Sequence, residues 1–526
     1  VPDPAAPPLV DPARRKALGS YFTPPALVAG LLDRSLEPVL ADRSARGVDA
    51  VASVRLVDPA CGDGNLLVAA AERIAAALLA LGVDREAAAA RAVRCVAGIE
   101  IDPATARRCR ERLGAISEAF DGSQVQVGDG LLLDPWPAGT VDVVVGNPPF
   151  LNQLRTGTAR DRSSAAARAL TERLGPTVGA YTDPAALFLA AAYRLARPDG
   201  GVVAMIEPTS LLTARDAGAV REAVLVRTAL RDLWLIGDGG FDAAVEVCAV
   251  VLERGARPGP VALFVGTDLG PAGPAAPPPP SEATWSSLLA ARDGLPLRDL
   301  ATSGVLGSLA SATADFRDQY YGLVGHVVDQ EEADDVGLPR LLTSGLIDAG
   351  RSCWGERPAR FAKQRFAHPR VDRRSLVGPM AAWAEARLVP KVLLATQTRV
   401  LEAVADPGGV LLPSVPVISV VPHRPADVWR VAAVLTCPAV AAEATRRHLG
   451  SGRTSRSVRL RAAEVLELPL PADRARWDDA ARLLQQGRPL AEVGAAMDAA
   501  YGLEGDDELL AWWLERADAA PAARGS

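Results

Sequence analysis

From about residue 19 to 255 the chain alternates short apolar runs with longer stretches of helical character. Residues 54–57, 97–101, 124–127, 141–145, 201–206, 233–236 and 247–252 are compact, Val/Ile-rich runs and predict seven strands. Residues 66–81, 85–94, 103–113, 184–195 and 214–227 predict the helices between them. Strands alternating with helices in this way predict an α/β fold built on a doubly wound sheet. Residues 1–13 are Pro/Ala-rich and are expected to be mobile. Residues 270–280 read Gly-Pro-Ala-Gly-Pro-Ala-Ala-Pro-Pro-Pro-Pro. Such a stretch is unsuited to a helix or a sheet interior, so 270–281 is expected to be an interdomain linker. The pattern beyond it is less regular over 282–471 and predicts a mixed α/β domain. Residues 472–526 read as a helical tail, with Trp512 and Trp513 as packing anchors.

Composition narrows the class. The chain has 526 residues, 49% of them apolar, enough for several domains with real cores. No uncharged apolar run reaches the roughly eighteen residues a membrane span requires, and the start lacks the basic-then-apolar pattern of a signal peptide. Six scattered cysteines (Cys61, Cys95, Cys109, Cys248, Cys353 and Cys437) and four histidines offer no zinc-ligand spacing. The expectation is a reduced, cytoplasmic, metal-free protein. The net charge of −6 gives no global support for nucleic-acid binding.

Chemistry concentrates at strand ends. In Asp58-Pro-Ala-Cys-Gly-Asp-Gly-Asn65 the first strand runs into a turn. Gly62 and Gly64 permit a tight backbone there, and the helix that follows presents its N-terminus to a ligand. Glu100, in Gly98-Ile-Glu-Ile-Asp102, ends the second strand, where a carboxylate can accept from both hydroxyls of a ribose. Asp129 follows the third strand and can accept from the amine of a cofactor adenine. Asp58, Ala60, Cys61, Gly62, Gly64, Glu100, Ile101 and Asp129 are therefore the candidate cofactor-binding residues. A nicotinamide-type Gly-x-Gly-x-x-Gly is excluded, because Leu67 occupies its third glycine position.

After the fourth strand comes Asn147-Pro-Pro-Phe150. An aromatic amine is a poor nucleophile, since its lone pair is spread into the ring. It needs acceptors that fix its two N–H bonds and aim the lone pair. The Asn147 side-chain oxygen and the Pro148 carbonyl are suited to that. Pro148 and Pro149 stiffen the loop without competing N–H groups, and Phe150 offers a face for a stacked base. Asn147, Pro148, Pro149 and Phe150 are the candidate catalytic residues, with Asn147 also facing the cofactor.

In this order the two motifs resemble the S-adenosylmethionine-dependent amino-methyltransferases, most closely those that methylate adenine N6 in DNA. The order also resembles the gamma arrangement, in which a lid precedes the cofactor motif, the catalytic motif and a recognition domain. The resemblance covers residues 14–255 specifically. It implies a class I methyltransferase domain over 14–269 with a seven-stranded sheet and S-adenosylmethionine as cofactor. It also makes Gly19-Ser-Tyr-Phe-Thr-Pro-Pro25 a lid over the methionine end of the cofactor, through Tyr21, Phe22 and Thr23. Locally, Thr23 reads as a helix N-cap with Pro24 at the first helical position. The target base must leave the duplex, and by resemblance Phe241 packs against it.

The region 282–471 is then expected to recognise double-stranded DNA. Two basic clusters lie in it. One is Arg351, Arg357, Arg360, Lys363, Arg365, Arg370, Arg373 and Arg374. The other runs from Arg446 to Arg461 and reads as a flexible loop. Arg360, Lys363, Arg365, Arg453, Arg456 and Arg459 are the candidate DNA contacts. No nuclease constellation is found, and the lid lies close to the start of the sequence, so a methylase without a nuclease is expected. The leading function is a site-specific DNA adenine-N6 methyltransferase of a restriction-modification or phage-defence system, with other defence proteins as possible partners. The alternatives are a methyltransferase of an RNA base or protein glutamine, and a non-catalytic DNA-binding defence subunit on a methyltransferase scaffold.

Overall fold

The computed structural model describes residues 23–149, 165–179, 182–236, 246–278, 284–315, 317–331, 338–452 and 456–518. The chain forms two compact units, Val1–Leu288 and Leu289–Ser526.

The first unit is built on one large sheet. Its strands are β1 (Leu56–Asp58), β2 (Val96–Glu100), β3 (Val125–Val127), β4 (Val143–Gly146), β5 (Val202–Pro208), β6 (Thr228–Leu235), β7 (Val247–Arg254), β8 (Val261–Val265) and β9 (Gly270–Ala275). Their spatial order is β3-β2-β1-β4-β5-β7-β6-β8-β9. Strands β1 to β5 run parallel, and β7 is antiparallel to both its neighbours. The central strands β1, β4 and β5 are buried at every position, as parallel strands covered on both faces must be. Helices α1 (Pro25–Ser44), α2 (Asn65–Ala80) and α3 (Pro103–Ile116) share a core with one face of the sheet, through Leu31, Leu36, Leu67, Ile74, Leu113, Val143 and Ile206. Helix α4 (Pro184–Leu195) is almost wholly apolar and buried.

All seven expected strands form, but the sheet has nine. Of the two extra ones, β8 and β9, the second corrects the linker reading of residues 270–281, since 270–275 form it. An edge strand needs donors on one side only, so Pro271 and Pro274 are tolerated. Gly273, at φ +86°, accompanies an irregularity in the register opposite Leu263 and Phe264. The expected helix over 214–227 splits into a 3-10 turn, Arg215–Ala217, and a helix, Gly218–Leu225. The expected cap also moves by one residue: Pro24 is the N-cap and Pro25 opens α1, leaving the Thr23 hydroxyl free of any capping role.

Among its described residues the second unit contains two four-stranded sheets, three two-stranded ones and a set of helices. Residues 472–518 are helical as expected, in Arg474–Gln485, Leu490–Ala500 and Asp507–Asp518, with Trp512 and Trp513 buried. These helices dock on the rest of the unit. Trp477 Nε1 donates to the Arg430 carbonyl at 3.0 Å, and Asp498 Oδ1 accepts from Ala439 N–H at 3.1 Å. Deep in one sheet, Lys391 and Asp406 form an ion pair at 2.5 Å, with side chains 0% and 2% exposed. Asp406 also accepts from the Val410 and Leu411 N–H groups. Removing one partner of such a pair strands the other charge, at a cost of roughly 3–5 kcal/mol. Lys391→Met is therefore expected to lower stability by about that much in guanidinium unfolding of the full chain. Lys391→Met with Asp406→Asn should recover part of the loss, because asparagine removes the stranded charge and keeps an acceptor for the backbone N–H groups. A loss in the single variant below about 1 kcal/mol would contradict this account.

Candidate active site

Because β1 to β4 are parallel, the loops that leave their carboxyl ends gather along one edge of the sheet, where ligands bind in open α/β folds. Each loop carries part of the site. After β1, Gly62 (φ +57°) and Gly64 (φ +90°) adopt left-handed backbone, and Gly64 is the N-cap of α2. A Cβ on Gly64 would stand 2.6 Å from the Cys109 sulfur, so glycine is required there for space as well as conformation. The Gly62 N–H donates to Glu100 Oε2 at 3.0 Å, and the Asp102 N–H donates to Glu100 Oε1 at 2.8 Å. Glu100 is thus held rigidly at the end of β2. Burial raises its pKa, and those two N–H groups oppose the rise. Ile101, the next residue, is 60% exposed, an apolar surface left open beside the carboxylate.

The loop after β3 closes onto the loop after β1. A Cβ on Gly130 would lie 1.8 Å from the Pro59 carbonyl oxygen, so nothing larger fits. Asp129 accepts from the Leu131 N–H through Oδ1. Cys61 turns its side chain inward over Gly98, and its backbone N–H donates to the Ile99 carbonyl at 2.9 Å. Asp58 is almost completely buried, with Oδ1 accepting from the Ala60 N–H at 2.9 Å. Burial pushes its pKa up to about 7, and the Glu100 charge adds to the rise.

The cofactor and catalytic motifs meet at Gly146, where a Cβ would lie 3.3 Å from Asp58 Oδ1 and 3.0 Å from the Met205 methyl. Asn147 follows directly. Its Nδ2 donates to the Thr23 hydroxyl oxygen at 3.0 Å, across 124 positions of sequence. That bond fixes which way the carboxamide points. Its Oδ1 is buried and has no hydrogen-bond partner among the described residues. Buried acceptors are rarely left unsatisfied, and this one is held ready by a bond on the same amide. Pro148 is buried and Pro149 half-buried. Tyr21, Phe22, Phe150 and Phe241 lie outside the described residues.

One further carboxyl escaped the sequence reading. Glu207 lies on β5, two positions past the Gly146–Met205 pair and opposite Cys248 of β7. It is 0% exposed, and neither oxygen has a partner among the described residues. Burial and the nearby Asp183 charge raise its pKa well above the usual carboxylate range. Only its position directly before Pro208, inside an apolar strand, marks it in the sequence.

This geometry can be set beside known proteins. The family model described as N-6 DNA Methylase matches residues 11–265. Residues 11–265 belong to the N-6 DNA methylase family. The activity of this methylase domain is transfer of a methyl group from S-adenosylmethionine to N6 of adenine in DNA. The chain is also similar to the Type IIL restriction-modification enzyme MmeI, whose structure is solved in complex with DNA. The TM-score is 0.61 at 13% identity, covering 97% of this chain and 80% of MmeI. The type IIG restriction endonuclease BpuSI matches with a TM-score of 0.44 at 14% identity, covering 96% and 67%. A modification subunit of a putative type I restriction enzyme from Vibrio vulnificus YJ016 matches with a TM-score of 0.36 at 17% identity, covering 48% and 49%. The likeness to MmeI is one of fold, and it extends through both units of this chain.

The basic clusters of the second unit divide sharply. In the first, Arg351 pairs with Asp348 and Glu356, Arg357 with Asp348, Arg373 with Glu385 and Arg374 with Asp372. Arg370 is buried, and its guanidinium donates to the carbonyls of Gln330, Glu331 and Leu338. Arg360, Lys363 and Arg365 are exposed and have no ion-pair partner among the described residues. The second cluster departs from the expected loop only at its start, and the described residues from 449 to 461 form neither helix nor strand. Arg446, Arg447 and His448 end the helix Pro438–His448, and Glu443 pairs with both arginines. Arg461 pairs with Glu464. Arg456 and Arg459 are exposed, and Arg453 lies outside the described residues.

Proposed function

We propose that the chain is a site-specific DNA adenine-N6 methyltransferase of the gamma arrangement, acting in a restriction-modification or phage-defence system. The observation that carries the reading is the Asn147 amide. Its nitrogen is tied to Thr23, and its oxygen is buried without a partner among the described residues, next to the Asp58 motif. An exocyclic amine brings the N–H groups that such an acceptor lacks. The chain order supports the gamma arrangement: the Thr23 segment, the Asp58 motif, Asn147, and then the second unit.

In this reading Glu100 takes the ribose hydroxyls of S-adenosylmethionine, Asp129 its adenine amine, and Ile101 the face of its adenine ring. Asp58 and the Gly62–Gly64 turn take the methionine end, under the segment from Tyr21 to Thr23. When bound, the cofactor supplies the sulfonium methyl that is the electrophile. The residues of the chain then have one task, which is positioning. Asn147 Oδ1 and the Pro148 carbonyl accept from the two N–H bonds, and Phe150 and Phe241 hold the flipped ring. The second unit selects the DNA site, and the structure of MmeI, solved with DNA, is consistent with duplex DNA as the partner.

Methyl transfer from labelled S-adenosylmethionine to unmodified genomic DNA, with nucleoside mass spectrometry, tests the reading. N6-methyldeoxyadenosine at a defined motif is the expected product. Cofactor binding without any labelled deoxynucleoside would overturn it for the chain acting alone.

A further inference from the structure

Of the eight cations in the first basic cluster, five are engaged by carboxylates or carbonyls, and the three without such a partner among the described residues share one hairpin. Its strands are Ala359–Phe361 and Gln364–Phe366. Arg360 and Arg365 are directly opposed across it. Like charges in that position destabilise a strand pair. The connecting turn is Ala362-Lys363, and both residues have positive φ, 48° and 66°. Non-glycine residues are disfavoured in this region. The hairpin therefore combines a repulsive pair with a strained turn, two features that stability alone would not select and that cluster at functional sites.

The opposite face of the hairpin is firmly anchored. Phe361 and Phe366 are 2% and 8% exposed, in a core with Leu341, Val371 and Leu412. The Phe361 ring lies 4.8 Å from that of Tyr320, whose hydroxyl accepts from the Ala362 N–H. The charged face is thus presented on a rigid, two-stranded ribbon of one turn. A ribbon of that width fits the major groove of B-form DNA, and arginine is the side chain that reads guanine there, through two hydrogen bonds to O6 and N7.

We propose that this hairpin is a sequence-reading element that enters the major groove, with Arg360 and Arg365 on guanine edges and Lys363 on a phosphate. The proposal rests on the reading of the chain as a DNA methyltransferase, but its test does not require catalysis. The full chain would be used to select duplexes from a randomised pool, and the bound fraction sequenced, for the wild type, Arg360→Ala, Arg365→Ala and Lys363→Gly. The wild type is expected to enrich a motif containing guanine. Each arginine variant should lose preference at one guanine by roughly tenfold or more while keeping the other positions. Lys363→Gly should weaken binding evenly across sequences, flatten its salt dependence and raise Tm, because glycine relieves the positive φ. An unchanged motif in both arginine variants would overturn the proposal, as would an even loss of affinity with no relaxation, or no enrichment by the wild type. If the arginine variants shift the motif and the wild type still methylates no DNA, the hairpin stands and the methyltransferase reading falls.

Discussion

Asn147→Ala is expected to lower kcat for methyl transfer to DNA by roughly 10²–10³-fold, the range seen when one preorganised hydrogen-bonding group is removed from a transition state. The substitution deletes an acceptor that is buried, aimed and without a partner among the described residues. It removes little packing, because the side chain is half-buried at a loop and among the described residues its amide makes one bond, to Thr23. The effect should therefore fall on kcat, with cofactor affinity and Tm close to wild type. Thr23 supplies the sharper test. Thr23→Val keeps the volume but removes the hydroxyl that orients the amide, so kcat should fall about tenfold, the equivalent of one hydrogen bond. Thr23→Ser retains the hydroxyl and should restore most of the rate. Full activity in Thr23→Val would show that the amide is oriented by something else. Full activity in Asn147→Ala would remove the residue from the mechanism.

Affinity for S-adenosylmethionine should rise steeply with pH up to about 7 and level off above it. The cause is Asp58, whose pKa burial pushes from an ordinary 3.8 up to about 7 in the ligand-free chain. The cofactor is cationic at its ammonium and sulfonium groups, so its binding favours the carboxylate and lowers that pKa. Binding below pH 7 then releases a proton, and Kd should tighten by up to about tenfold per pH unit. The sign for stability is the reverse of the usual carboxylate. The folded, ligand-free chain holds the Asp58 proton more tightly than the unfolded chain does. Raising the pH from about 4 towards 7 therefore removes stability until the proton has left the folded state. Calorimetry with S-adenosylmethionine from about pH 5.5 to about 8.5, in buffers of different ionisation enthalpy, reads both affinity and proton release. Asp58→Asn should bind more weakly and show a flat profile. A wild-type profile that is already flat would mean that Asp58 is ionised before the cofactor arrives.

What the sequence reveals of this protein depends on the range of the interactions. The β1 to β7 strands are legible because each is a local apolar run, and β1, β4 and β5 are buried throughout. The glycine turn, Glu100 and Asp129 are legible because each follows its strand immediately. Strand β9 is not, because its Gly-Pro-Ala-Gly-Pro-Ala composition opposes a strand locally and only the β8 edge makes it one. Thr23 before two prolines has the signature of a cap, and its actual partner lies 124 positions away. The basic clusters mislead for a different reason. Their charge and the nearby carboxylates are both visible in the sequence, but which arginines Asp348, Glu385 and Glu443 engage is a property of the fold.

Strand β9 has a practical consequence for handling the catalytic half. A nine-stranded sheet has two open flanks, and each is made a poor template for a second molecule. On one flank β3 is only three residues long, and on the other β9 carries two prolines that cannot donate. The family match ends at residue 265, the last residue of β8. A fragment cut there would lose the proline-bearing guard and bare the run Val261-Ala-Leu-Phe-Val265, which is apolar, uncharged and ready to pair with its own copies. Excised at 265, the fragment should precipitate where one extended through residue 278 stays dispersed.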